Sequence, residues 1–306
     1  MQPLTGIVLK ICSVCIFVCM ASLIKAASDE VPPGQAVFFR SFFALPVIFA
    51  WLAVRGELRD GWKTQNPMGH VWRGIVGTLG MGFGFTALGL LPLPEVTAIG
   101  YAAPLLVVVF AAMFLDEKVG VFRLSTVALG MVGVLIVLSP RLSVGAQAGS
   151  VEALGAMVTL MGAIMAALAQ VLVRKLVLTE DTAAIVLWFS VTSTVGGLLT
   201  LPWGWAWPSG PVFAMLILAG LLGGMGQIFL TSSYRFAEAS LIAPFEYTSM
   251  ILALMAGYFI FGEVPTGAML LGAAIVIAAG VLIIWRERQL GMQRTRQRKV
   301  TGKTGV

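Results

Sequence analysis

Two stretches of this chain repeat one pattern: Gly77–Glu95, GTLGMGFGFTALGLLPLPE, and Gly220–Glu238, GLLGGMGQIFLTSSYRFAE. They align at a constant offset of 143 residues, which superposes several of their glycines and their final glutamates. Further on, GVLIVL from Gly133 matches GVLIIW from Gly280, at an offset of 147. The sequence therefore indicates one unit that occurs twice.

The composition excludes a soluble globular protein. Of the 306 residues, 58% are hydrophobic and 11% are charged, and the mean hydropathy is +0.95, whereas soluble domains carry roughly 25% charged residues. The alternation of polar and apolar residues that is typical of β-strands is absent, and an open sheet cannot lie in the hydrocarbon of a membrane. A membrane span needs about 20 predominantly apolar residues. The pattern predicts an all-α membrane protein with ten spans: 5–25, 35–54, 72–91, 95–115, 122–139, 153–173, 183–202, 211–233, 239–261 and 267–285.

Each copy of the unit holds five predicted spans, so the second copy must enter the bilayer from the opposite side. We therefore expect a first five-helix repeat over residues 1–140, a linker over 141–152, a second five-helix repeat over 153–287, and a basic cytoplasmic tail without regular structure over 288–306. Inverted repeats suit alternating access around a central site.

The orientation follows from the positive charges. An N-terminus in the cytoplasm places seventeen of the twenty Lys and Arg residues on the cytoplasmic side, as the positive-inside rule requires. Both termini are then cytoplasmic. Most of the net charge of +6 lies in the tail, which we expect to contact anionic lipid rather than nucleic acid.

The chain lacks the residues that several kinds of activity require. The chain has no complete phosphate-binding GxxxxGK[ST] loop, and we expect no ATPase of its own and no need for an ATPase subunit. It has one histidine, and its three cysteines share one face of the first span. We therefore predict no metal site, no cofactor and no catalytic residues. The oligomeric state stays open.

Ionisable groups within membrane spans are costly and indicate function. Arg40 in the second span would contact an anionic or hydrogen-bonding substrate group, or else extend its head to the membrane surface. Glu246 in the ninth span would carry a coupling proton, or else be the buried partner of a helix end or a hydroxyl. Both are predicted substrate-site residues.

Four further polar or aromatic residues within spans complete the predicted substrate site: Tyr101, Gln170, Trp188 and Tyr247. Aromatic side chains would suit a flat ring substrate. The alternative is that they face lipid or pack in the protein core.

Small residues and prolines predict where helices bend or approach closely. Pro46, Pro104 and Pro244 lie inside predicted spans, where proline kinks or opens a helix. Gly80 and Gly223 belong to small-residue stripes that allow close helix contact. We expect these five residues to act in kinking or gating, with static packing as the alternative for the glycines.

The run EVTAIGYAAPLLVVVFAAMFLDEKV and its counterpart, which begins SLIAPFEYTSMILALMAGYFIFGEV, resemble the two repeats of the EamA family in the drug/metabolite transporter superfamily. The resemblance implies ten helices in two inverted repeats around a central substrate cavity, with both ends cytoplasmic. The segments VPPGQAVFFRSFFALPVIF and NPMGHVWRGIVGTLGMG are similar to bacterial members of the family that take up riboflavin.

The sequence and this resemblance thus favour a secondary carrier for a small organic metabolite in a bacterial inner membrane, with riboflavin uptake as the sharpest hypothesis. A transporter with the same fold but the opposite direction of transport would export amino acids or toxic compounds. A membrane-embedded enzyme or a partner subunit is a further alternative, disfavoured because the chain is poor in catalytic clusters and carries matched glycines and prolines in both halves.

Overall fold

The computed structural model describes residues 3–114, 120–142, 150–237 and 242–301. Throughout these ranges the regular structure is helical, which confirms the predicted all-α class. Two 3-10 helices, Leu201–Trp203 and Ala243–Tyr247, precede α10 and α11. Twelve α-helices occur in the described ranges: α1 Pro3–Ala27, α2 Pro33–Phe42, α3 Ala44–Val54, α4 Pro67–Leu90, α5 Leu93–Gly100, α6 Ala102–Phe114, α7 Val121–Leu142, α8 Ser150–Leu176, α9 Thr182–Leu198, α10 Gly210–Phe236, α11 Thr248–Phe261 and α12 Gly267–Thr301.

By length and composition, seven helical stretches of the described chain could cross a membrane: Leu4–Ala27, Pro33–Val54, Leu93–Phe114, Val121–Pro140, Val151–Leu176, Gly210–Phe236 and Gly267–Arg286. The apolar helices Thr182–Leu198 and Phe245–Phe261 are shorter. The remaining predicted span is α4, whose 24 residues include Arg73 and seven glycines that lower its hydropathy. All ten predicted spans therefore correspond to helices in the predicted order.

Prolines interrupt three of these spans. The helix α2 ends at Phe42 and α5 ends at Gly100, and a proline follows four residues later in each case, at Pro46 and Pro104. Proline has no N–H to donate to the carbonyl four residues before it, and its ring collides with that carbonyl. Pro244 lies in the first turn of the 3-10 helix that precedes α11.

Helices of the first half pair with helices of the second half. The helix α1 packs along α10, and α4 packs along α8. The helix α2 packs against α9, α5 against α11, and α7 against α12. In the last pair the backbones touch, because a Cβ added to Gly133 would lie 2.8 Å from the carbonyl oxygen of Gly272.

The end of the chain differs from the prediction. The sequence predicts the last span to end near residue 285 and an irregular tail to follow, whereas α12 continues to Thr301. The tail is rich in Arg, Gln and Lys, which are good helix formers, and this local preference outweighs its polarity. Residues 143–149 of the predicted linker and residues 302–306 of the predicted tail lie outside the described residues.

Candidate functional site

A cavity of about 190 Å³ lies between the two halves of the chain. Its walls come from α1 and α5 in the first half, and from α10, α11 and the preceding 3-10 helix in the second. The lining residues are Lys10, Ser13, Val14, Phe17, Val18, Ala21, Leu93, Thr97, Leu230, Glu246 and Ser249. Most of the wall is apolar, with a few polar groups, as is typical of sites for small organic molecules.

One ion pair, Lys10 with Glu246, is part of this wall. The Lys10 side chain is only 2% exposed, whereas the side chain of Glu246 remains 45% exposed. A buried ammonium group is costly unless a carboxylate compensates it, so Glu246 holds Lys10 in place while part of its carboxylate stays open to a ligand. The pair joins the first span to the ninth.

Sequence reasoning missed Lys10, which is one of the seventeen Lys and Arg residues that the predicted orientation places on the cytoplasmic side. The signal was present, because Lys10 interrupts the apolar run from Ile7 to Ile24. An ionisable residue inside a span calls for a partner inside the protein.

Tyr101 and Tyr247 lie close to Glu246, at the points where regular helix is interrupted. Tyr101 separates α5 from α6, and Tyr247 ends the 3-10 helix before α11. Their rings meet edge to face, with centroids 5.1 Å apart. The Tyr101 hydroxyl is 2.7 Å from Ser249 Oγ, which donates to the carbonyl oxygen of Glu246 at 2.7 Å.

Both tyrosines are buried, Tyr101 at 4% exposed and Tyr247 at 8%. A Cβ at Gly280 would overlap the Tyr247 hydroxyl, so that glycine provides the room for the ring. The two rings therefore support the segment that carries Glu246 from behind the cavity wall. The structure brings together three of the six predicted substrate-site residues: Tyr101, Glu246 and Tyr247.

Arg40 lies elsewhere, in a group that we name the arginine cluster: Arg40, Arg73 and Phe189. Arg40 Nη2 lies 3.4 Å from the carbonyl oxygen of Gly223, its hydrogen-bond acceptor. The Cζ atoms of Arg40 and Arg73 lie 5.6 Å and 4.0 Å from the centroid of the Phe189 ring. Gly223, predicted to act in kinking or gating, makes room for the Arg40 side chain, since a Cβ there would lie 2.7 Å from Arg40 Nε.

The other predicted residues are not at the cavity. Trp188 is half-buried, and its Nε1 donates to the carbonyl oxygen of Trp62 at 3.0 Å. Gln170 is exposed on α8. Gly80 allows α4 to approach α8, because a Cβ there would lie 3.1 Å from the Cβ of Met165.

Polar contacts tie the halves together at one end of the molecule, which we name the Lys25 end. Lys25 Nζ lies 3.0 Å from Glu263 Oε1 and donates to the carbonyl oxygens of Leu88 and Leu91 at 3.0 Å and 2.8 Å. Glu263 Oε2 in turn accepts the backbone N–H of Leu93 at 2.9 Å. These contacts join α1, the turn between α4 and α5, and the turn between α11 and α12.

A second set of contacts lies at the opposite end, which we name the Glu180 end. Glu180 Oε1 accepts the backbone N–H groups of Gln65 and Asn66, both at 2.9 Å, and Oε2 lies 3.3 Å from His70 Nε2. Burial acts to raise the pKa of Glu180, but the neighbouring His70 side chain, the backbone N–H groups of Gln65 and Asn66, and the Thr64 side chain outweigh it and lower that pKa. The carboxylate therefore ties the start of α4 to the turn before α9.

Metal ligands are sparse in the described part of the chain, where no group of three or more His, Cys, Asp or Glu residues could hold an ion. The cysteines Cys12, Cys15 and Cys19 are free thiols on α1.

The sequence matches the model of the EamA-like transporter family over residues 4–139 and again over residues 153–285. A riboflavin transporter of Rhizobium johnstonii is 30% identical over 84% of this chain and 82% of its own length. An S-adenosylmethionine uptake transporter of Rickettsia felis is 27% identical over 83% of this chain and 84% of its own length. A pseudopaline exporter of Pseudomonas aeruginosa is 28% identical over 92% and 93% of the two chains.

A solved crystal structure aligns with 93% of this chain and 98% of its own, with a TM-score of 0.67 and 18% sequence identity. At this identity the similarity concerns the fold alone.

Proposed function

Because the chain belongs to the EamA-like transporter family, we propose that it is a secondary transporter that moves a small organic metabolite by alternating access. One observation carries the proposal: the Lys10–Glu246 pair faces a cavity whose walls come from both halves of the chain. A central site shared by two repeats is the arrangement that such transporters use.

The halves are proposed to be inverted five-helix repeats. If each helix is replaced by its counterpart in the other half, the pair of α1 and α10 becomes the pair of α8 and α4, which also pack together. The pairs α2 with α9, α5 with α11, and α7 with α12 each remain the same pair. The two separate matches to one family model also support the proposal. With an odd number of spans in each half, the second copy would cross the membrane in the opposite sense.

Substrate entry is proposed to require separation of the helices. The cavity of about 190 Å³ is smaller than the roughly 300–1,000 Å³ of most small-molecule sites. The contacts at the Lys25 end and the Glu180 end join segments of both halves. These contacts are therefore proposed to close the cavity at its two ends. They would break alternately, as the cavity opens first to one side of the membrane and then to the other.

Riboflavin uptake across the bacterial inner membrane is the proposed activity. Its support is the two relatives named riboflavin transporter, from Rhizobium johnstonii and Vibrio cholerae. Both termini, and with them the Glu180 end, are proposed to be cytoplasmic, because most Lys and Arg residues of the loops and termini then lie on that side.

Uptake of labelled riboflavin tests this activity directly. The chain is expressed in a bacterial strain that lacks riboflavin synthesis and its own importer, and its presence in the membrane is verified. We expect saturable uptake that depends on the chain. Absence of uptake by protein present in the membrane would exclude riboflavin import.

Export is the second candidate function, favoured by the similarity to a pseudopaline exporter. It predicts that cells expressing the chain tolerate toxic compounds or accumulate less of a labelled amino acid. A panel of these compounds in the same strain distinguishes the two directions, because an importer would raise the intracellular concentration of its substrate.

Glu246 is proposed to carry the coupling proton. Glu246→Gln keeps the shape of the side chain but cannot release a proton, so uptake should lose its dependence on an imposed pH gradient and fall to the rate seen without a gradient. Glu57→Gln, at an exposed surface carboxylate, is the matched control and should transport normally. A pH dependence in Glu246→Gln equal to that of the wild type would refute the role.

A further inference from the structure

The arginine cluster holds two buried positive charges for which the described residues supply no carboxylate. Arg40 is 3% exposed and Arg73 is 7% exposed. On each side chain, Nε and Nη1 are buried without a hydrogen-bond partner. The two guanidinium groups are also close enough to repel each other.

Such an arrangement is unfavourable for the protein by itself. A buried charge without a partner strongly destabilises the fold, and each buried N–H that finds no acceptor adds a further penalty. The ring face of Phe189 offsets only part of this, since the attraction between a cation and an aromatic ring is weaker than these penalties. An acceptor with negative charge would remove both penalties.

The backbone around the cluster leaves the space that the guanidinium groups need. A Cβ at Gly77 would overlap Arg73 Nη1 and lie 2.8 Å from Phe189 Cε2. A Cβ at Gly223 would lie 2.7 Å from Arg40 Nε. Glycines of two different helices, α4 and α10, thus permit the two side chains to converge on one ring.

We propose that Arg40 and Arg73 form an anion-binding site that takes one carboxylate or phosphate group between α2, α4, α9 and α10. The planar guanidinium fork donates two parallel hydrogen bonds to such groups, and it does so better than an ammonium group. The site is separate from the Lys10–Glu246 cavity, which α1, α5, α10 and α11 enclose. It does not depend on which metabolite is transported.

The test measures thermal unfolding of the full chain in detergent by tryptophan fluorescence. Sodium phosphate or sodium acetate is titrated at constant ionic strength made up with sodium chloride. The wild type should show a saturable increase in Tm of about 3 °C or more. Arg40→Gln and Arg73→Gln should each raise the half-saturating phosphate concentration by about tenfold or more, since each removes a charge-assisted hydrogen bond. Arg59→Gln removes an exposed arginine and should respond as the wild type does.

A second pair of variants covers the case in which the arginine variants do not fold. Gly77→Ala keeps Arg73 but displaces its guanidinium group, so it should weaken the phosphate response. Gly82→Ala lies on the same helix, where a Cβ meets open space, and should leave the response intact. The proposal would be overturned if Arg40→Gln, Arg73→Gln and Gly77→Ala responded as the wild type does, or if the wild type responded to neither anion.

Lipid nanodiscs identify the source of the anion. Phosphatidylcholine has no net charge, whereas phosphatidylglycerol is anionic. A phosphate response in phosphatidylcholine discs that is lost in phosphatidylglycerol discs would assign the site to the headgroup of an anionic lipid. A response that persists in both would assign it to a free anion or to the anionic group of a substrate.

Discussion

At the scale of the residue, two lysines of α1 are each held by a glutamate of the second half of the chain. Lys10 pairs with Glu246 and Lys25 with Glu263, so one helix carries both ion pairs. Only the first borders the cavity. The second is connected to three backbone groups around the turn between α4 and α5, which indicates a role in holding the Lys25 end closed.

The ion pair at the Lys25 end should therefore contribute much more to the free energy of unfolding than an ordinary surface pair does. Both side chains are 14% exposed, and removing one partner of a buried pair costs about 3–5 kcal/mol. Lys25→Met should lower Tm by roughly 5–10 °C in a thermal unfolding experiment. Lys63→Met breaks a pair whose side chains are 71% and 70% exposed, and should change Tm little. Equal effects of the two substitutions would show that the pair at the Lys25 end does not stabilise the fold.

At the scale of the element, the contact between α7 and α12 depends on two glycines whose backbones touch. A Cβ at Gly133 would lie 2.8 Å from the carbonyl oxygen of Gly272 and 3.0 Å from the backbone nitrogen of Val276. Backbone atoms cannot rotate away as a side chain can, so an added methyl group must push the helices apart.

Gly133→Ala should therefore destabilise the protein by about 1–3 kcal/mol, the usual cost of overpacking, which a lower Tm would report. Gly82→Ala is the matched control, since its Cβ meets open space on α4. There alanine gains up to about 1 kcal/mol of helix propensity, so Tm should stay unchanged or rise. If Gly133→Ala were as stable as the wild type, the two helices would not be in direct contact.

At the scale of the whole molecule, the two halves are joined at both ends, and the Glu180 end is sensitive to pH. The hydrogen bonds that Glu180 accepts lower its pKa in the folded state below the ordinary value of 4.5. A carboxylate of this kind contributes stability that is fully present above its unfolded pKa and is lost as the pH falls through its folded pKa.

Acid should therefore weaken the connection between the start of α4 and the turn before α9. We expect the Tm of the wild type to fall as the pH is lowered from about 5 towards 3. Glu180→Gln should have a lower Tm at pH 7 and a shallower fall in acid. Asp29→Asn, at an exposed position, should keep the pH profile of the wild type. A profile of Glu180→Gln that parallels the wild type would refute the assignment.

Parts of the candidate site follow from the sequence, and other parts do not. Tyr101, Glu246 and Tyr247 were predicted and lie together, because all three belong to spans four and nine, which meet in the fold. Trp188 and Gln170 were predicted on the same grounds and lie away from the cavity. Residue type and position within a span do not reveal which neighbour the side chain faces.

The sequence by itself determined the helical class, the ten apolar helical segments with their order, and the interruptions before Pro46 and Pro104. These properties depend on hydropathy and proline chemistry, which act over a few neighbouring residues. Only the tertiary structure decided which buried charges meet: Lys10 and Glu246, 236 residues apart, and Arg40 with Arg73 around one ring. The physical reason is that such meetings depend on how each helix is rotated and packed against distant helices, and no local pattern encodes that.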